Sequence, residues 1–402
     1  MMVMKSVDAH LAEILATVRP IDPVGIGLDS ALGAVLAEDV RSPVALPPFD
    51  NSAMDGYAVR AGDVAAATEA DPVVLPVTVD VAAGDTAPRA VGPGHVTRIM
   101  TGAPVPAGAD AVVPVEWTDG GTDRVAIRRP ARVGNAIRRS GEDVRAGDVV
   151  LGAGTTIGPA QLGILAGVGR HAVLARSRPR VVVLSTGAEL VEPGSPLGPG
   201  QIWESNSFTL VAAVRQAGGE ATRRRAVGDD PAEFLETLEG LLGAADAVIT
   251  SGGISMGAYE PVKEALSPLE TVRFEKIAMQ PGMPQGFGVL GERQVPIFTL
   301  PGNPVSSYVS FVLFVKPALA KMRGLPDGPP ATVTAALTAG ARSPAGRRSF
   351  LRGVLDAKGS VTPVHRQGSH QLAALAGANA LIVVPEDVTE LPEGATVEVI
   401  PL

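Results

Sequence analysis

Asp246-Ala247-Val248-Ile249-Thr250-Ser251-Gly252-Gly253-Ile254-Ser255-Met256-Gly257 opens the stretch, running on to Ser306, whose reading decides the fold. Ala247 to Thr250 is a short, β-branched apolar run and reads as a buried strand. Two adjacent glycines then let the backbone turn sharply and aim N–H groups at an anion. After Glu275-Lys276-Ile277-Ala278-Met279 comes a second apolar run, Val295 to Leu300. It ends in Pro301-Gly302-Asn303-Pro304-Val305-Ser306. The prolines fix φ on either side of a Gly-Asn turn, and a long apolar helix starts at once. Two strand ends with rigid, small-residue turns make a place for a phosphorylated ligand at the carboxyl edge of an α/β sheet. Taken singly, each turn reads more readily as a tight connection.

Upstream of this stretch, strands and helices alternate. Val181 to Leu184 reads as a buried strand and leads into Ser185-Thr186-Gly187-Ala188-Glu189-Leu190. Ser205-Asn206-Ser207 caps a helix that ends near Gly218-Gly219. Asp230 is placed as the N-cap of another, with Pro231 at its first position. The β-α-β-α-β order implies a parallel sheet with helices on both faces. Downstream, Gly324 to Pro330 is a linker, and short apolar runs from Ala331 onward predict a small β-barrel or sandwich carrying Arg366-Gln367-Gly368-Ser369-His370.

The first part of the chain has a different texture. Ser6 heads an amphipathic helix through Val18, and Asp29 heads a shorter one over Ala31 to Ala37. Short strands punctuated by turns fill the region from about 72 to 143, and a helical pattern resumes at Pro159 to Gly167. The all-β piece therefore looks inserted. Asp50-Asn51-Ser52-Ala53-Met54-Asp55-Gly56-Tyr57-Ala58 is a polar loop, either a site loop or a surface loop of Asx-turns. Arg138 and Arg139 are either forks for an oxyanion or a solvated pair facing Glu142 and Asp143.

Composition narrows the chemistry. The 402 residues hold two to four domains, and the net charge is −8. That balance argues against a broad nucleic-acid footprint or attachment to an anionic membrane. There is no cysteine, which excludes disulfides, thiolate metal sites and a thiol nucleophile. The five histidines show no metal-binding pattern, so a protein-held metal would be a hard one on carboxylates, such as Mg²⁺. Met1 to Val7 lacks the apolar core of a signal peptide, and cytoplasmic localisation is expected. Val305 to Met322 is interrupted by serines and Lys316-Pro317 and reads as a buried helix.

Together these pieces resemble the MoeA-type molybdopterin molybdenumtransferases, also seen as the E-domain of gephyrin. The resemblance rests on the Asp50–Ala58 loop, Thr101-Gly102-Ala103-Pro104, Arg139-Ser140-Gly141-Glu142-Asp143, Ser185–Leu190, Ser251–Gly257, Leu300–Ser306 and Gln367–His370, in family order. It implies a multidomain fold: a helical and extended N-terminal domain (residues 1–42 and 144–175) and an inserted β-rich domain (43–143). A central doubly wound α/β domain like the molybdopterin adenylyltransferases (176–325) and a C-terminal β-barrel (326–402) complete it. The implied reaction inserts molybdenum from molybdate into adenylylated molybdopterin and releases AMP with Mg²⁺ assistance, in a homodimer that meets a molybdopterin adenylyltransferase transiently. The site is expected between the α/β domain of one subunit and the β-insert of the other. Asp55, Thr101, Asp143, Glu189 and Lys276 are the implied catalytic residues. Arg138, Ser251, Gly252, Gly253, Ser255, Pro301, Gly302, Asn303, Pro304, Arg352 and Ser369 would bind substrate. Asp55, Asp143, Glu189 and Asp229 would hold the metal. Ala188, Ala258 and Gln280 stand where many members have two Asp and a second Lys. Two other readings compete: adenylyl transfer or nucleotide hydrolysis by the α/β domain, and a molybdopterin-binding scaffold or carrier without turnover.

Overall fold

The computed structural model describes residues 4–85, 87–224, 230–254 and 260–402. The chain divides into two compact units. One comprises the chain up to Val24, Gly33–Ala37 and Ala175–Leu402; the other comprises Gly25–Leu32 and Glu38–Leu174.

The first unit is built on a six-stranded sheet. Its strands are β1 (Arg180–Ser185), β2 (Glu220–Arg223), β3 (Ala247–Ser251), β4 (Val272–Lys276), β5 (Pro284–Leu290) and β6 (Val295–Leu300), in the order β2-β1-β3-β6-β5-β4. The first four in that order are parallel, whereas β5 runs antiparallel to both β6 and β4. The sheet is thus mixed at one edge rather than wholly parallel. Successive residues of its central strands serve opposite faces. Val181, Val183, Ile249 and Phe298 join one apolar layer with helices Asn206–Gln216 and Pro304–Met322. Val182, Leu184, Val248 and Ile297 join the other with helices Pro231–Leu242 and Pro261–Leu266. The sheet is therefore doubly wound. Pro304–Met322 is apolar enough to cross a membrane, but most of it is buried as a core helix.

The helix starts are set as their sequences dictate. Ser6 Oγ accepts from the Ala9 N–H, and the Asp230 carboxylate accepts from the Ala232 N–H. The helix expected over 31–37 does not form. Gly33 takes φ +81°, and Val35–Leu36 pairs instead with Ala175 and Arg176 as a short strand. The C-terminal strands Arg348–Leu355, Ser360–Pro363, Val333–Leu337, Thr396–Pro401 and Ala380–Val384 pair in that order. Ala380–Val384 then pairs back on Arg348–Leu355 and closes a barrel. In the second unit Ala111–Pro114, Gly56–Val59, Val96–Ile99, Val73–Val81 and Arg124–Ile127 form a five-stranded sheet in that order.

The amino-terminal residues are tied into the first unit. The Lys5 N–H donates to the Lys276 carbonyl, and the Ala278 N–H donates to the Lys5 carbonyl. The Lys5 ammonium pairs with Glu13 and, at 2.7 Å, with Glu275. His10 is 3% exposed, stands edge-on to Phe314 at 4.8 Å, and has Glu275 3.5 Å from its Nδ1. Burial, then the Lys5 charge, hold the imidazole down to about 4.

This gives the fold an acid-labile joint. Between the ordinary histidine pKa near 6.5 and the folded value near 4, the unfolded chain takes up a proton that the native chain does not. Stability therefore falls as pH drops through that window, by about 3 kcal/mol in all. Replacing His10 by Leu should flatten the loss between pH 6.5 and 4 in urea unfolding curves. An unchanged pH slope would remove His10 as its source.

Candidate active site

Three turns at the carboxyl ends of β1, β3 and β6 surround a cavity of about 1090 Å³ in the first unit. The barrel loop Gln367–His370 completes its wall. Each turn is made by sequence. At Ser251-Gly252-Gly253 both glycines have positive φ, +98° and +67°. A Cβ on Gly252 would sit 2.6 Å from the Thr186 carbonyl oxygen, and one on Gly253 would meet Val262 at 2.8 Å. The turn is left-handed and pressed against its neighbours, so only glycine fits.

A carboxamide joins the strand ends. Asn206 Nδ2 donates to Ser251 Oγ at 2.9 Å and to the Gly302 carbonyl at 2.6 Å. Ser251 Oγ in turn lies 3.2 Å from the Pro301 carbonyl and 3.3 Å from Ser307 Oγ. Glu204, 3% exposed, accepts from Ser185 Oγ and from the Ser207 N–H, both at 2.8 Å. The Val305 N–H donates to the Ser369 carbonyl at 3.0 Å, which fastens the barrel loop to the start of helix Pro304–Ser310.

Of the residues singled out in the sequence, Glu189, Ser251, Gly252, Gly253, Pro301, Gly302, Asn303, Pro304 and Ser369 line this cavity. Three differ from expectation in detail. The Gly252 N–H is not offered to a ligand: it donates to the Leu300 carbonyl at 3.1 Å, extending the β3–β6 ladder by one residue. The Gly253 N–H has no partner among the described residues. Arg352 does not reach the cavity. It is 1% exposed, and its guanidinium donates to the Arg366 and Gly368 carbonyls at 2.6 and 3.2 Å, so it shapes the loop from behind. Burial lowers its pKa. Lys276 is half-buried and does not line the cavity, whereas Gln280 does. Ser255, Asp229 and Ala258 lie outside the described residues.

The second unit carries the other group. Asp55 Oδ1 accepts from the Thr101 N–H at 2.7 Å and from Thr101 Oγ1 at 2.8 Å. These two bonds, the backbone one foremost, lower the pKa of its carboxyl. Asp50 pairs with Arg139 at 2.6 Å and accepts from the Ser140 N–H. Arg138, paired with Asn51 in a short ladder, and Asp143 are exposed. Asp55 and Thr101, distant in sequence, thus form one constellation.

Sequence reasoning passed over several cavity residues. Arg347 is the one Lys or Arg lining the cavity among the described residues, and no ion pair there occupies it. Thr186 Oγ1 is buried without a hydrogen-bond partner among the described residues, beside the glycine turn. Asn206 was readable only as part of a helix cap. Among the described residues no group of three or more His, Asp or Glu is placed to hold a metal. Glu189, exposed at the cavity and without a partner among the described residues, suits the one-carboxylate attachment Mg²⁺ makes when substrate phosphates and water supply its other oxygens.

A cavity at the carboxyl edge of a doubly wound sheet, walled by a barrel loop, defines a binding site for a small molecule. Residues 5–169 match the family described as MoeA N-terminal region (domain I and II), and residues 334–402 match the MoeA C-terminal region (domain IV). Residues 182–321 match the family described as "Probable molybdopterin binding domain". The chain belongs to the MoeA family. Molybdopterin molybdenumtransferase 2 of Mycobacterium tuberculosis H37Rv is 49% identical over 403 residues, covering 98% of this chain and 99% of that protein. Molybdopterin molybdenumtransferase 1 of the same strain is 40% identical over 419 residues, 98% of each. A crystal structure of the molybdopterin biosynthesis MoeA protein from Pyrococcus horikoshii superposes with a TM-score of 0.80 at 33% identity, covering 99% of both chains.

The two turn glycines should separate in mutation. Gly252→Ala combines positive φ with a backbone clash and should cost about 1–3 kcal/mol. Gly302→Ala, whose Cβ would stand 3.4 Å from Gly252 Cα, should change stability by less than about 0.5 kcal/mol. Urea denaturation of the two variants checks the order; equal losses would show that the geometry of Gly252 is not what sets it.

Proposed function

We propose that this protein is a molybdopterin molybdenumtransferase, inserting molybdenum from molybdate into molybdopterin in molybdenum cofactor biosynthesis. The observation that carries the reading is full-length similarity to proteins of that name, together with a cavity at the carboxyl edge of the sheet.

The finer reading is that the substrate arrives adenylylated and leaves AMP behind. Molybdate is a dianion and a phosphoanhydride carries further charge. The described cavity lining offers the Arg347 guanidinium and the Gly253 N–H against the carboxylates of Glu189, Glu204 and Glu260. That balance leaves anionic charge to be neutralised, which favours a divalent cation held at Glu189 by way of substrate oxygens. Bound there, Mg²⁺ would draw charge from the phosphoanhydride as it breaks. Soft sulfur ligands for molybdenum come from the substrate dithiolene, so a chain with no cysteine is no obstacle. The protein's own part is to bind and orient. Arg347 and the Gly253 N–H hold oxyanions, the Pro301 to Pro304 turn fixes the wall, and Ser369 closes it. Asp55, kept ionised by Thr101, supplies a fixed negative charge with a defined direction.

The remaining parts are inferred from the family resemblance. They are homodimerisation, the four-domain division, transient contact with an adenylyltransferase, and a cytoplasmic setting. Light scattering at micromolar concentration should return twice the 41.0 kDa chain mass; a monomer mass would refute the dimer.

Anaerobic turnover of adenylylated molybdopterin, with and without molybdate, tests the function. AMP release dependent on molybdate is expected. Substrate binding without AMP release would support a carrier instead. Asp55→Asn keeps the shape and removes the charge. That change should slow AMP release roughly a hundredfold. A wild-type rate in a folded Asp55→Asn variant would take Asp55 out of the mechanism.

A further inference from the structure

We infer that Trp203 is the platform on which the planar heteroaromatic part of the substrate, adenine or pterin, stacks. This rests on the function proposed above and adds to it a subsite for the ring.

Trp203 is the one Phe, Tyr or Trp lining the cavity among the described residues. Half of it is open, at 52% exposure, with Ile202 beside it at 54%. Exposed rings are ordinarily mobile or covered. Phe208, exposed nearby, is covered by the Arg223 guanidinium 4.2 Å above its ring. No ring or guanidinium covers Trp203 among the described residues, yet its orientation is fixed. Its indole N–H donates to the Ser195 carbonyl at 2.9 Å. Its backbone is pinned on both sides: the Ile202 N–H donates to the Glu189 carbonyl and the Glu204 N–H to the Val191 carbonyl, both at 2.9 Å. The next residue, Glu204, is buried and anchored to Ser185 and Ser207. A ring held still with a face uncovered has lost its freedom before the ligand arrives, which is the condition for strong stacking.

The cavity is divided to match. Leu190, Ile202 and Trp203 supply an apolar wall; Thr186 and Gly253 supply polar groups at the strand ends. A ligand joining a flat ring to a phosphoanhydride meets both. Because Trp203 is three residues before Asn206, the residue bridging β3 to the Pro301 turn, the ring wall and the polar floor are indexed to each other by one short segment.

The chain holds two tryptophans, Trp117 and Trp203. Trp117→Phe leaves Trp203 as the single indole emitter. Titrating that variant with AMP, and separately with neopterin, should give saturable quenching by one of them. Quenching by AMP assigns the adenine; quenching by neopterin assigns the pterin. Trp203→Ala should weaken binding of adenylylated molybdopterin about tenfold or more, and Trp203→Phe, which keeps a ring and drops the N–H, should stay within about threefold. Equal losses in both variants would assign the effect to the Ser195 contact and overturn stacking. So would normal affinity in a folded Trp203→Ala, or a change in its light-scattering mass without a change in affinity. If wild-type protein turns over adenylylated molybdopterin while neither probe quenches, the ring subsite fails and the proposed function stands. If wild-type protein does not bind that substrate at all, both fall together.

Discussion

One carboxamide spans the ends of two parallel strands. Asn206 donates to the side chain at the end of β3 and to the main chain just beyond β6. Each bond contributes only about 1 kcal/mol net. Their weight lies in what they hold in register. Ser251, Pro301, Gly302 and Ser307 converge on the same few ångströms, and the helix that starts at Pro304 takes its first free N–H to the barrel loop through Ser369. A site of three turns and a loop from another layer needs a common reference point. The Asn206 amide is that point, and its two donor hydrogens match the two acceptors it meets.

Behind this front the sheet explains why the turns can be so tight. Strands β1, β3 and β6 are buried on both faces, so their ends move little. Arg352 serves the same end from the barrel side. A guanidinium buried without a carboxylate is costly, and here backbone carbonyls of the cavity loop satisfy part of it. The loop thereby gains donors for carbonyls that its turn would otherwise leave unpaired.

Much of this was legible in the residues. The apolar runs at β1, β3 and β6, the caps at Ser6 and Asp230, and the turns of the cavity all follow local rules of sidedness, capping and φ preference. Strand β5 was not, because it begins with Pro284 and contains Gly286 and Gly288, residues that local propensity disfavours in strands. The structure shows why glycine stands there: a Cβ at Gly286 would sit 2.0 Å from Thr299 Oγ1, and one at Gly288 would sit 2.1 Å from the Thr271 carbonyl. Tertiary crowding overrode strand propensity. The same limit applied to Gly252, Arg352 and Arg347. A residue's type says that it can donate to an anion, but only its neighbours decide whether its donors are already spent.

The chain's first and last segments meet in the same unit, and this has a consequence for synthesis. Lys5 waits for the backbone at 276–278, and the cavity waits for Ser369, far beyond the last strand of the α/β sheet, which ends at Leu300. On the ribosome the α/β sheet is complete while the loop that walls its ligand site is still untranslated or in the exit tunnel. A nascent chain with its sheet folded therefore has no finished pocket until the barrel loop has joined it. Contacts of such long sequence separation also carry a high loop-closure cost.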